Sequence, residues 1–240
     1  MGEPDCLHHA PARFKQGDSM TSLGYAGSTL PLFVAGIGLL GLILSPTAEL
    51  LIARLLPRIG GLPVTRIRIT TAVITGALCA AFAWRFGFDP ALPAFVLLAV
   101  LGVQLARIDV SLHLLPNLLV LSLLVGGLIC LLAAVFGETQ WADIVRAAAG
   151  GAILFVIYLI LAIISPADLG MGDVKFAAPI GLYLGYLGWS QLLYGGLLGF
   201  ILNGIVTVVI LRKNRSERTS EVAHGPSMLA AAAGVALLLT

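Results

Sequence analysis

The 240-residue chain is 59% apolar and only 11% charged, with a net charge of +2 and a mean hydropathy of +1.02. A soluble domain of this size has too little interior to hide so much apolar surface. A soluble globular enzyme, a disordered chain and a DNA-binding domain are therefore excluded, which leaves an all-α, polytopic integral membrane helical bundle. Continuous apolar blocks, rather than alternating segments of about ten residues, argue against a β-barrel.

Residues 1–24 form a polar leader containing His8, His9, Lys15 and Asp18. It is expected to be disordered, and the apolar run behind it has no convincing small-residue cleavage site for a signal peptide. Met20 offers an alternative start. Residues 25–240 read as one transmembrane domain of about eight spans. The apolar blocks run from Ala26 to Ser45, Thr70 to Trp84, Pro90 to Ala106 and Leu118 to Phe136. Four more run from Ala147 to Ile164, Val174 to Leu187, Leu192 to Leu211 and Ser227 to Thr240. A hydrocarbon core needs about 20 helical residues, so the shorter blocks must borrow from their loops or cross a thinned region.

The basic residues set an orientation. Arg54, Arg58, Arg66, Arg68, Arg107, Lys175, Arg212, Lys213, Arg215 and Arg218 follow odd-numbered spans, whereas Arg13, Lys15, Arg85 and Arg146 lie on the other side. The richer side is expected to be cytoplasmic, with the N-terminus outside. Cys6, Cys79 and Cys130 are far apart, and none of the four histidines falls in an HExxH pattern. No zinc ribbon, redox pair or other metal site is expected from them, and no cofactor is implied.

Most of the acids fall in loops or in the leader, where a carboxylate is simply hydrated. Asp109 and Asp173 instead abut apolar spans, where an ionisable group is costly and marks a functional candidate. Asp109 ends the third span, seven residues before Pro116 and Asn117. Pro116 breaks helix continuity, and Asn117 reads as the N-cap of the fourth span. Asp173 opens the sixth span behind Gly170 and Gly172, whose missing side chains allow unusual backbone angles and close approach of another segment. The loops after spans three and five share one face, so the two acids do too. Two carboxyl groups brought together share one proton, giving an acid and a base around one water molecule. That arrangement suits peptide-bond hydrolysis. An interfacial Asp109–Arg107 pair and a proton-conducting pair are the alternatives at this point.

The stretch Gly170-Met171-Gly172-Asp173-Val174-Lys175, continued by Gly181 and Gly185, resembles the second signature of the type IV prepilin leader peptidases, which are GxGD-type intramembrane aspartic proteases. Asp109, six intervening residues, then Pro116-Asn117 and an apolar span resemble the first signature. Gly225-Pro226 resembles a weaker feature of the family. The resemblance covers residues from about 90 to 240. It implies Asp109 and Asp173 as the catalytic pair, with Gly170, Gly172, Lys175, Pro116 and Asn117 supporting the site or the substrate. It also implies cleavage of prepilin or pseudopilin precursors after a Gly, on the cytoplasmic side of a prokaryotic inner membrane. Bilayer lipid and the precursor are the expected partners, and nucleic acid is not. Longer members carry two CxxC pairs after the first span and N-methylate the new N-terminus. The segment from Pro46 to Ile69 holds no Cys here, which removes the basis for zinc there and weakens that for methyl transfer.

Other polar residues have two readings each. Lys175 either tunes the acids or contacts substrate carboxylates, or it is a snorkelling interface anchor. His113 lies four residues after Asp109 and reads as an interfacial loop residue. Asp168 is the rival acid, five residues before Asp173. Gln104 and Asn203 are expected to hydrogen-bond between helices, and the basic run Arg212 to Arg218 to meet anionic lipid. A small proton-coupled transporter using the same two acids is the rival function. Against it, the chain has no internal repeat, and both acids lie at one boundary rather than the midplane.

Overall fold

The computed structural model describes residues 18–57, 63–136, 140–165, 169–213 and 223–239, with side chains in the first helix from Leu30 onward. Eight α-helices make up the described residues, and no strand occurs among them. They are α1 (Asp18–Leu55), α2 (Thr65–Phe86), α3 (Leu92–Leu112), α4 (Asn117–Ala134), α5 (Trp141–Ile164), α6 (Met171–Leu187), α7 (Trp189–Lys213) and α8 (Gly225–Leu238). Six of these are long and apolar enough to cross a membrane, and α6 and α8 are shorter. The protein is thus a multi-pass helical membrane protein.

Helix ends depart from the apolar blocks in ways that matter for the site. α3 continues six residues beyond Ala106, so Asp109 lies within its last turn rather than past its end. α6 begins at Met171, which puts Asp173 in its first turn. The apolar block marks what lipid or core accepts, whereas the helix continues as long as its backbone hydrogen bonds can be made. α1 likewise starts inside the polar leader at Asp18 and runs past Pro46 to Leu55. Pro46 costs one backbone hydrogen bond. The following Ala48-Glu49-Leu50-Leu51 are strong helix formers, and Glu49 is pinned from α2.

That pin is a second departure. Glu49 is not a hydrated loop acid but only 2% exposed, and its Oε2 accepts from Arg68 Nε at 3.1 Å. Arg107 sits in the field of Glu49 and donates from Nε to Gln104 Oε1 at 3.1 Å. Gln104 in turn donates from Nε2 to the Oγ and carbonyl of Ser45. These bonds tie α1, α2 and α3 together and leave Asp109 to other partners. Asn203 differs from expectation: its buried Oδ1 meets no hydrogen-bond partner.

α5 and α6 form the most intimate helix pair. A methyl group added at Gly150 would stand 2.6 Å from the Gly181 carbonyl oxygen and 2.8 Å from Gly185 Cα. One at Gly185 would stand 2.7 Å from the Arg146 carbonyl oxygen. The small-xxx-small spacing of Gly181 and Gly185 is what lets the two backbones touch. Arg146 closes the far end, donating to the Gly185 carbonyl at 2.8 Å and the Tyr186 carbonyl at 2.6 Å. It also pairs with Asp143 at 2.8 Å.

Candidate functional site

The last turn of α3, the first turn of α6 and the first turn of α8 meet at one end of the bundle. Asp109 comes from α3 and is 5% exposed. A carboxyl group so buried needs a hydrogen-bond donor, and the Gly225 backbone N–H at the start of α8 supplies it, 2.9 Å from Oδ2. Because that N–H is one of the unpaired donors of a helix N-terminus, it is suited to hold an acid. The approach also requires glycine: a Cβ at position 225 would stand 2.8 Å from the same oxygen. The chain leaves α3 at His113, a left-handed residue (φ 51°) whose N–H caps the Asp109 carbonyl at 2.8 Å. The imidazole of His113 acts electrostatically on Asp109.

Asp173 occupies the third helical position of α6, half-buried, with Gly170 as the N-cap residue. The Gly170 N–H serves its carboxylate, one half of a capping box. Asp109 and Asp173 lie within electrostatic reach of one another, from the last turn of α3 and the first turn of α6. Gly170 itself has an ordinary extended backbone (φ −72°, ψ 144°), and among the described residues the glycines with positive φ are Gly87 and Gly188, away from the two acids. Close approach, not unusual torsion, is therefore the use made of the Gly-Met-Gly sequence. A Cβ on Gly172 would stand 3.2 Å from the Cβ of Leu115, the residue before Pro116.

Pro116, not Asn117, is the N-cap residue of α4, with an extended backbone and no side-chain cap. Asn117 is the first helical residue, so its side chain is turned to another use: Oδ1 accepts from Lys175 Nζ at 2.9 Å. Lys175 thus bridges α6 to α4 beside the acids and does not pair with either. Asp168, the rival acid, lies outside the described residues. No group of three or more His, Cys, Asp and Glu side chains capable of holding a metal occurs among the described residues.

Two features escaped sequence reasoning. Tyr158 of α5 lies in the field of Asp173 and bonds through its hydroxyl to His224 Nε2 at 3.0 Å. The partners are 66 residues apart, and only the position of His224 directly before Gly225-Pro226 hinted at a role. The other is an apolar groove of about 860 Å³ between α2, α3 and α8, lined on α3 by sequence neighbours of Asp109 but not by Asp109 itself. Ile67, Ile74, Ala106, Arg107, Val110 and Pro226 are among its walls.

Asp109 and Asp173 thus come from separate helices, at the end of α3 and the start of α6, in a multi-pass helical bundle. Residues 94–210 match the type IV leader peptidase family. Among curated proteins, the chain is 33% identical to a prepilin leader peptidase/N-methyltransferase of Stutzerimonas stutzeri, over 68% of this chain and 55% of the relative. It is 31% identical to the corresponding protein of Pseudomonas aeruginosa, over 72% and 57%. For that of Dickeya chrysanthemi the identity is 34%, over 68% and 55%. The chain therefore spans about half the length of the curated relatives it matches. No solved structure matches it significantly.

Proposed function

We propose that the protein is a membrane-embedded aspartic endopeptidase that removes the leader from type IV prepilin-like precursors, with Asp109 and Asp173 as its catalytic pair. The observation that carries this reading is the convergence of the two carboxyl groups, from the last turn of α3 and the first turn of α6, close enough to act on each other. The family match and the printed names of the relatives support the substrate class. The excess of Lys and Arg at this end of the helices supports a site facing the cytoplasm of a prokaryotic inner membrane.

The pair holds one proton between its two carboxyl groups and a water molecule between them. The ionised carboxyl takes a proton from that water as it attacks the scissile carbonyl carbon. The protonated carboxyl donates to the carbonyl oxygen. Collapse of the tetrahedral intermediate returns a proton to the leaving amine and breaks the C–N bond. The Gly225 N–H holds Asp109 in one orientation throughout, so no reorganisation is needed as charge develops. The groove beside Asp109 accommodates the apolar stretch that follows the cleaved bond, and its lining matches such a segment chemically.

The test is co-expression with a precursor carrying a short basic leader, a Gly and a long apolar run. Mass spectrometry then reads the mature N-terminus. Cleavage after the Gly by the wild-type protein, lost in both Asp109→Asn and Asp173→Asn, is the expected result. The same spectrum reports whether the new N-terminus gains a methyl group. Normal cleavage by either variant would overturn the assignment of that acid.

A further inference from the structure

His224 and Tyr158 are buried polar side chains that the proposed reaction does not use. Tyr158 is 1% exposed and His224 4%. Their hydrogen bond, 3.0 Å from the hydroxyl to Nε2, joins α5 to the residue that opens α8. Phe200 of α7 stacks on the Tyr158 ring at 4.8 Å and lies 5.5 Å from the His224 ring, so three helices lock at this point. His224 Nδ1 is buried with no hydrogen-bond partner. Burial pushes the imidazole down to about 4, so the ring is neutral and its one strong bond is the one to Tyr158.

A neutral, buried His–Tyr pair with one unsatisfied nitrogen contributes little to stability, because desolvation of that nitrogen offsets the bond that is made. Its place in the chain gives it another use. The residue after His224 is Gly225, whose N–H holds Asp109 Oδ2 at 2.9 Å. At its other end the pair rests on Tyr158, which lies in the field of Asp173. His224 is thus one residue from the donor that holds Asp109, and Tyr158 is within electrostatic reach of Asp173.

We propose that Tyr158 and His224 are positioning residues for the two acids: their hydrogen bond fixes the first residue of α8, and through it the Gly225 N–H that keeps Asp109 facing Asp173. The inference rests on the peptidase reading above for its kinetic arm. If the pair is broken, α8 keeps its packing but its first turn is free to shift, and a misplacement on the order of 1 Å costs about 100-fold in rate. The acids remain present, so substrate binding is preserved while turnover falls.

The experiment compares purified wild-type protein with Tyr158→Phe, His224→Leu, His224→Gln and the Tyr158→Phe/His224→Leu double variant, using a prepilin-like peptide substrate. Tyr158→Phe and His224→Leu are each expected to lower kcat by about 10- to 100-fold, with KM within about twofold and unfolding temperature little changed. The double variant falls no further than the worse single variant, because both remove the same bond. His224→Gln, which can still bond the hydroxyl, retains more activity than His224→Leu. An infrared difference spectrum against Asp109→Asn locates the Asp109 carboxyl band, and that band moves in Tyr158→Phe as the Gly225 hydrogen bond loosens. Unchanged kcat in both single variants, additive losses in the double variant, or activity lost only in proportion to folded protein would each overturn the proposal. If the wild-type protein cleaves no precursor, the peptidase reading fails, and the infrared shift alone then decides the positioning role.

Discussion

The two acids stand on unlike foundations. Asp173 is carried by α6, which is pressed backbone to backbone against α5 along Gly150, Gly181 and Gly185 and clamped at its far end by Arg146. Asp109 is carried by α3, which is bonded to α1 through Gln104 and Ser45 but borders an open apolar groove toward α8. One side of the candidate site is closed by backbone contact, and the other has room for about 860 Å³. A rigid wall holds geometry to the tolerance catalysis needs, while an apolar opening admits a segment that must itself stay in lipid. On the proposed peptidase reading, the α5–α6 side would supply precision and the α2–α3–α8 side access.

The largest expected effect ignores the contrast and tests what both walls serve. Asp109→Asn and Asp173→Asn should each lower processing by about 10²- to 10⁴-fold, the range for loss of a general acid or base. Membrane insertion, followed by protease protection, should be unchanged. Processing above a tenth of normal in either variant would dissolve the pairing on which the comparison rests.

Next comes the closed wall. Gly150→Leu drives a side chain into the backbone of α6, which cannot move aside as a flexible side chain would. Overpacking of this kind costs about 1–3 kcal/mol or more, read as a lower unfolding temperature in detergent together with lost activity. Gly204→Ala is the control, because nothing lies within 4 Å of a Cβ there. Equal stability of the two variants would mean that the glycine seam is not what holds α6.

A smaller and different effect is expected at the open wall. Ala230 is exposed along the groove, so Ala230→Trp adds bulk without disturbing the core. Its KM for precursor should rise severalfold while kcat and unfolding temperature stay near normal, the signature of lost ground-state binding. A fall in kcat with unchanged KM would move substrate access to another face. Smallest of all, Lys175→Met removes the bond to Asn117 Oδ1. An exposed hydrogen bond of this kind is worth about 1 kcal/mol at most, and processing should fall by no more than severalfold. Loss equal to that of Asp173→Asn would instead place Lys175 among the reacting groups.

What the sequence disclosed and what it hid follow one physical divide. Asp109 and Asp173 were legible because a carboxyl group beside an apolar span stands out against its neighbours and because local spacing links each to Pro116 or to Gly170 and Gly172. Helix ends were less legible. Arg107 and Asp109 end the apolar run without ending α3, since hydropathy reports on surroundings and not on backbone bonding. Glu49 was misplaced for the same reason: beside Pro46 it reads as a loop acid, and only folding brings Arg68 against it. The Tyr158–His224 bond had no local signal at all, because neither residue is unusual until α5 and the start of α8 are side by side.

The position of the Asp109 donor also bears on how the protein is made. Asp109 and Asp173 lie in the middle of the chain, and the α5–α6 hairpin, with its contacts close in sequence, is of the kind that assembles early. Gly225, however, belongs to α8, which follows both acids in the chain. Until it docks, Asp109 lacks the N–H that aims it, and the groove lacks the wall formed by Pro226 and Ala230. Completion of the candidate site thereby waits on α8, so a chain inserted only as far as α6 carries both acids without the donor that aims Asp109.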